Sequence, residues 1–60
     1  MTYEEFMTTP FKYGGNGEEY LLKDELPNLN RRTRRWIAQE LKKGRQPHFE
    51  DIISYQQGEL

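Results

Sequence analysis

The sequence predicts a very small α+β domain, and three patterns predict it. The tetrapeptide Gly14-Gly15-Asn16-Gly17 separates two aromatic-rich stretches, residues 31 to 45 are cationic with helical periodicity, and apolar residues recur at helical spacing near both ends. Asn-Gly between such stretches is a strong short-range hairpin signal, because a type I′ turn needs φ > 0 at both central positions. The expected order is a short N-terminal helix, a β-hairpin, a long basic amphipathic helix and a short C-terminal helix, within one domain spanning residues 1–60.

The first helix begins at Thr2, whose hydroxyl suits the amide of Glu5 while the Glu5 carboxylate reaches back, a Thr-x-x-Glu capping box. Tyr3, Phe6 and Met7 form its apolar stripe, and Pro10 stops it. In the hairpin, Phe11 and Tyr13 precede the turn, Tyr20 and Leu22 follow it, and the four share the face expected to cover the core. The turn is either Asn16-Gly17 alone or the whole of residues 14 to 17. Lys23 to Pro27 reads as a connection. Asn28 or Asn30 supplies the cap of the long helix, and Gly44 ends it in the left-handed conformation. Pro47 fits the first turn of a last helix, with Glu50 and Asp51 at its positive end, Phe49, Ile52, Ile53 and Gln56 at helical spacing, and Gly58 closing it. Ile52 to Tyr55 would also suit a strand.

Charge is distributed unevenly along the chain. Residues 31 to 45 hold seven of the nine Lys and Arg residues against Glu40 alone, a local net charge of +6. Residues 1 to 30 carry −4 and residues 46 to 60 carry −3, which leaves −1 for the whole chain. At about 100° per residue, Arg31, Arg32, Arg34, Arg35, Lys42, Lys43 and Arg45 occupy one arc of about 180°, opposite Leu29, Thr33, Trp36, Ile37 and Leu41. One face therefore docks on a core, with Trp36 expected beneath the hairpin face, and the other presents cations. Those seven cations are the candidate binding residues.

Sixty residues bury a limited core, so stability is expected to be marginal, and without cysteine neither disulfides nor cysteine-bound zinc add to it. A homo-oligomer or a complex is a reasonable expectation. No apolar run approaches the roughly 18 residues of a membrane span, and Met1 to Glu5 lacks the features of a signal peptide, so a cytoplasmic protein is expected. Catalysis is not expected. There is no cysteine nucleophile, no readable serine–histidine pairing, and little room for a water-excluding pocket. His48, Glu50 and Asp51 make a poor metal set, and no cofactor motif is present, since the glycine-rich turn lacks the phosphate-loop pattern.

Two functional classes fit the basic helix. It could bind DNA or RNA, where arginine offers planar bidentate donors to phosphate and guanine edges. Alternatively it docks on a larger protein with an acidic surface, as an inhibitor or directionality factor of a mobile element would. The acidic surplus elsewhere, including Glu18, Glu19, Asp24 and Glu25, either pairs with the cations or weakens long-range attraction to nucleic acid. Over the seven residues Asn30-Arg31-Arg32-Thr33-Arg34-Arg35-Trp36 the chain resembles the arginine-rich helices of phage antitermination proteins, which bind RNA hairpins. So short a likeness identifies no family. Winged-helix excisionases also pair a small hairpin with a helix, but their recognition helix precedes the wing, whereas here the basic helix follows the hairpin.

Overall fold

The computed structural model describes residues 1–58; the last two residues of the expected 1–60 domain lie outside them. It is an α+β fold of four helices and a two-stranded hairpin: α1 (Tyr3–Thr8), β1 (Phe11–Lys12), β2 (Glu19–Tyr20), α2 (Leu22–Glu25), α3 (Arg31–Lys42) and α4 (Phe49–Gln56).

Helix α1 starts as its sequence dictates. The Glu5 amide donates to the Thr2 hydroxyl at 3.1 Å and the Thr2 amide donates to the Glu5 carboxylate at 3.0 Å, which satisfies two of the free donors of the first turn. At the other end, the hydroxyls of Thr8 and Thr9 donate to the carbonyls of Glu4 and Glu5 just before Pro10. Phe6 and Met7 are buried, and α1 packs on α2 and α3.

The hairpin is shorter than predicted. Phe11 lies opposite Tyr20 and Lys12 opposite Glu19, so residues 13 to 18 form a wide loop. Gly17 has φ +81°, but no residue other than glycine has positive φ among those described, which excludes a two-residue type I′ turn at Asn16-Gly17. The connection contains the whole of residues 14 to 17, the longer alternative, and exceeds it by one residue on each side. Asn16 braces the loop by accepting from the Glu18 amide at 3.0 Å. Leu22 belongs to no strand: it opens α2, a single helical turn where a plain connection was expected, and it is buried. Tyr13 also leaves the strand face and remains 43% exposed.

The core gathers one or two residues from each helix: Phe6 and Met7, Leu22, Ile37 and Leu41, and Ile52. Thr33, Ile37 and Ile52 are fully buried at 0% exposure, so the line of contact between α3 and α4 is the centre of the molecule. Asn30 caps α3 by accepting from the Thr33 amide at 2.8 Å. The helix ends at Lys42 with Lys43 as its C-cap, so Gly44 stops it as expected and the cationic stretch of residues 31 to 45 runs past its end. Gly44, at φ +84°, turns the chain so that the Arg45 amide donates back to the Glu40 carbonyl at 2.9 Å. The strand alternative at Ile52 to Tyr55 is not adopted. Helix α4 begins at Phe49 with His48 in the capping position, so Pro47 precedes the helix rather than occupying its first turn.

Trp36 does not lie beneath the hairpin. Its indole stacks on the Tyr55 ring at 4.3 Å between centroids and an interplanar angle of 6°. The hairpin instead meets Phe49, whose ring lies 5.4 Å from Phe11 and 4.8 Å from Tyr13. Trp36 sits at the edge of the apolar arc of α3, and that edge faces the C-terminal end of α4.

Candidate nucleic-acid interface

The N-terminal end of α3 is fixed to the C-terminal end of α4 by a polar and aromatic clasp. The Asn30 amide donates to the Gln56 side-chain oxygen at 3.1 Å, and the Gln56 amide nitrogen donates to the Asn28 carbonyl at 3.4 Å. Arg32 donates to the Tyr55 carbonyl at 3.1 Å while its guanidinium lies 4.1 Å from the Tyr55 ring centroid. A cation over an aromatic face and at a helix C-terminus is favourable on both counts. These contacts join the start of α3 to the end of α4, and residues 43 to 48 join their other ends, so the two helices run antiparallel.

This clasp divides the seven predicted cations. Arg32 is a strut between helices, not part of an open ridge. Arg45 lies beyond the helix and donates to the Glu40 carboxylate at 3.1 Å, and Lys43 reaches the same carboxylate at 3.9 Å. Both therefore belong to the helix C-terminus, where cations complement the free carbonyls. Arg31, Arg34, Arg35 and Lys42 remain on the exposed face of α3. Among the described residues no ion pair joins these four to Glu18, Glu19, Asp24 or Glu25, so self-neutralisation by the acidic half of the chain is not formed.

Sequence reasoning did not include Lys23. Helix α2 brings it to a shallow depression of about 300 Å³ that Arg34 also lines, together with Tyr3, Glu4 and Thr8. Partial burial raises the Tyr3 phenol above its ordinary pKa, and the nearby Arg34 charge opposes that shift. The signal for Lys23 was hidden because it depends on a one-turn helix that the sequence read as a connection.

Carboxylates are kept off the outer face of α3. Its only acid, Glu40, is turned inward with an 18% exposed side chain and is shared by Lys43 and Arg45. Compared with known proteins, the chain matches no family model, no curated protein and no solved structure.

Away from α3, an open apolar cleft of about 360 Å³ runs between α1, the hairpin and the start of α4, lined by Met1, Phe6, Pro10, Phe11 and Phe49. Among the described residues no group of three histidines, cysteines or carboxylates is placed to hold a metal, and no helix is long and apolar enough to cross a membrane.

Proposed function

We propose that this chain is a small, non-enzymatic, cytoplasmic regulatory module that binds nucleic acid through the outer face of α3. The observation that carries the reading is the row Arg31, Arg34, Arg35 and Lys42, exposed and without a carboxylate partner among the described residues. A cation array that the protein does not neutralise itself gains most from phosphates, whose condensed counterions are released on contact. Its rigid setting, with Thr33 and Ile37 fully buried beneath it, lowers the ordering cost of binding.

A second reading has its own observation. The cleft around Met1, Phe11 and Phe49 leaves apolar surface uncovered, which suits a protein-directed modulator from a mobile element, docking on a larger enzyme or nucleic-acid-processing complex.

The test is a titration of the full chain against mixed-sequence duplex DNA and structured RNA at two salt concentrations. The nucleic-acid reading expects binding that weakens steeply with salt, with the slope reduced by about 2 when Arg31 and Arg34 are both changed to Gln. No detectable affinity for either polymer at about 0.1 M salt, where the Debye length is about 10 Å, would overturn it in favour of the protein partner.

A further inference from the structure

We propose that α3 is a recognition helix for the major groove of duplex DNA, with Arg35 and Gln39 addressing base edges while Arg31, Arg34 and Lys42 hold phosphates. The proposal rests on the nucleic-acid reading above and narrows it to one polymer and one groove.

The geometry starts from the buried side. Thr33 has no exposure, and at about 100° per residue the direction opposite it is occupied by Arg31, Lys42 and Arg35, flanked by Ala38 and Gln39. These five residues project furthest from the core, and each is exposed. Along the axis, Arg31 and Lys42 stand about 16 Å apart, at a rise of about 1.5 Å per residue, with Ala38 and Gln39 between them. Long cations at both ends and a methyl group near the middle let the helix axis approach a groove floor while the ends reach the two walls. A helix with side chains is about 10–12 Å across, which matches a major groove about 12 Å wide.

The chemistry of the central pair is suited to base edges. Glutamine meets the N6 and N7 edge of adenine through two hydrogen bonds, and arginine meets the O6 and N7 edge of guanine in the same way. No carboxylate lies on this arc to repel phosphate, since Glu40 is turned inward. Arg34, on one flank, lines a depression that Lys23 and Glu4 also line.

One observation and one general property of RNA disfavour the other polymers. Single strands are held by stacking bases on exposed aromatic rings, but the only aromatic residue of α3, Trp36, has one ring face occupied by Tyr55. Regular A-form RNA has a deep, narrow major groove that side chains do not read.

The test selects binding sequences for the 60-residue chain from a randomised duplex DNA pool, with a pool of RNA hairpins run in parallel. The best duplex is then remade with 7-deaza purines, which lack the major-groove N7 acceptor. We expect a selected sequence motif and a loss of about tenfold or more in affinity for the 7-deaza duplex. Gln39→Ala, an exposed change, should relax the motif at an adenine position and leave the salt slope unchanged. Duplex binding with no motif and no effect of 7-deaza purines overturns groove reading and leaves a non-specific phosphate ridge. Preference for RNA hairpins overturns the choice of DNA while the nucleic-acid reading stands. Absence of binding to both pools overturns both.

Discussion

Trp36 and Tyr55 lie face to face, 4.3 Å apart and within 6° of parallel, and the guanidinium of Arg32 lies 4.1 Å from the centre of the same tyrosine ring. This stack orients α3, because it fixes the rotation of the helix that carries both the buried Ile37 and the exposed Arg35. Tyr55→Ala removes the ring that both partners use. We expect it to cost about 2 to 3 kcal/mol, below the value for a fully buried aromatic because the site is partly exposed. Tyr55→Phe should cost little, since the ring contacts persist. Chemical denaturation of both variants checks this; equal stability of Tyr55→Ala and the parent would contradict it.

Thr33 offers the opposite kind of change. Its side chain is fully buried and its hydroxyl has no hydrogen-bond partner. Valine has nearly the same shape without the polar group, and helix propensities of the two are close. Thr33→Val should therefore stabilise the fold by about 1 kcal/mol, by removing an unsatisfied hydroxyl from the core. The readout is a higher urea midpoint with an unchanged slope.

Much of this fold follows from short-range chemistry that the sequence displays directly. The Thr2–Glu5 box, the Asn30 cap and the Gly44 stop are each decided by residues within three to five positions of one another. The exposed and buried arcs of α3 follow from helical periodicity alone. What escaped sequence reasoning depends on contacts distant in the chain. Helical periodicity puts Trp36 on the apolar arc without saying which element covers it; the expected cover is the hairpin, whereas the antiparallel placement of α3 and α4 selects Tyr55. Arg32 and Arg45 look like members of the ridge on a helical wheel. Their removal from it depends on a carbonyl 23 residues away and on the chain reversal at Gly44. Leu22 was misplaced because one turn of helix leaves too short a pattern to distinguish from a strand end.

Gly44 sets the end of α3 and so the position of Lys42 at the edge of the interface. Its φ of +84° lies in the left-handed region, and among the described residues no atom beyond its two chain neighbours lies within 4 Å of where a Cβ would stand. The cost of Gly44→Ala is thus conformational alone, about 1 kcal/mol, and Gly44→Asn should cost less because asparagine tolerates that region. Thermal melts of the two variants should rank in that order.

Acid should loosen the first helix. The Thr2 amide, then the Thr2 hydroxyl, hold the Glu5 carboxylate below its ordinary pKa of 4.5, with some opposition from desolvation and a minor favourable contribution from the N-terminal charge. A pKa lower in the folded state means that Glu5 contributes stability above its unfolded pKa and loses it as pH falls through the folded value. The expected outcome is a stability that falls on acidification below about pH 4.5, with a smaller fall in Glu5→Gln. Melting curves at stepped pH for both proteins provide the measurement.

The seven cations of residues 31 to 45 should separate into two groups by their responses. Arg32 joins α3 to α4 through the Tyr55 carbonyl and ring, so Arg32→Gln should lower stability by about 1 to 2 kcal/mol, the range for a charge-assisted hydrogen bond and a cation–π contact. Arg45→Gln loses a largely exposed pair with Glu40 and should cost no more than about 0.5 kcal/mol. Arg31→Gln and Arg35→Gln break no side-chain hydrogen bond or ion pair among the described residues and should leave the denaturation midpoint in place. In binding the order reverses: Arg31, a phosphate contact, should remove about one unit from the salt slope and Arg35 should relax selection at a guanine position, whereas Arg45 should do neither. Parallel denaturation and salt titrations of the four variants decide the matter. A uniform loss of slope across all four would mean that the cations act as one diffuse field and that the division made by Tyr55 and Glu40 has no functional counterpart.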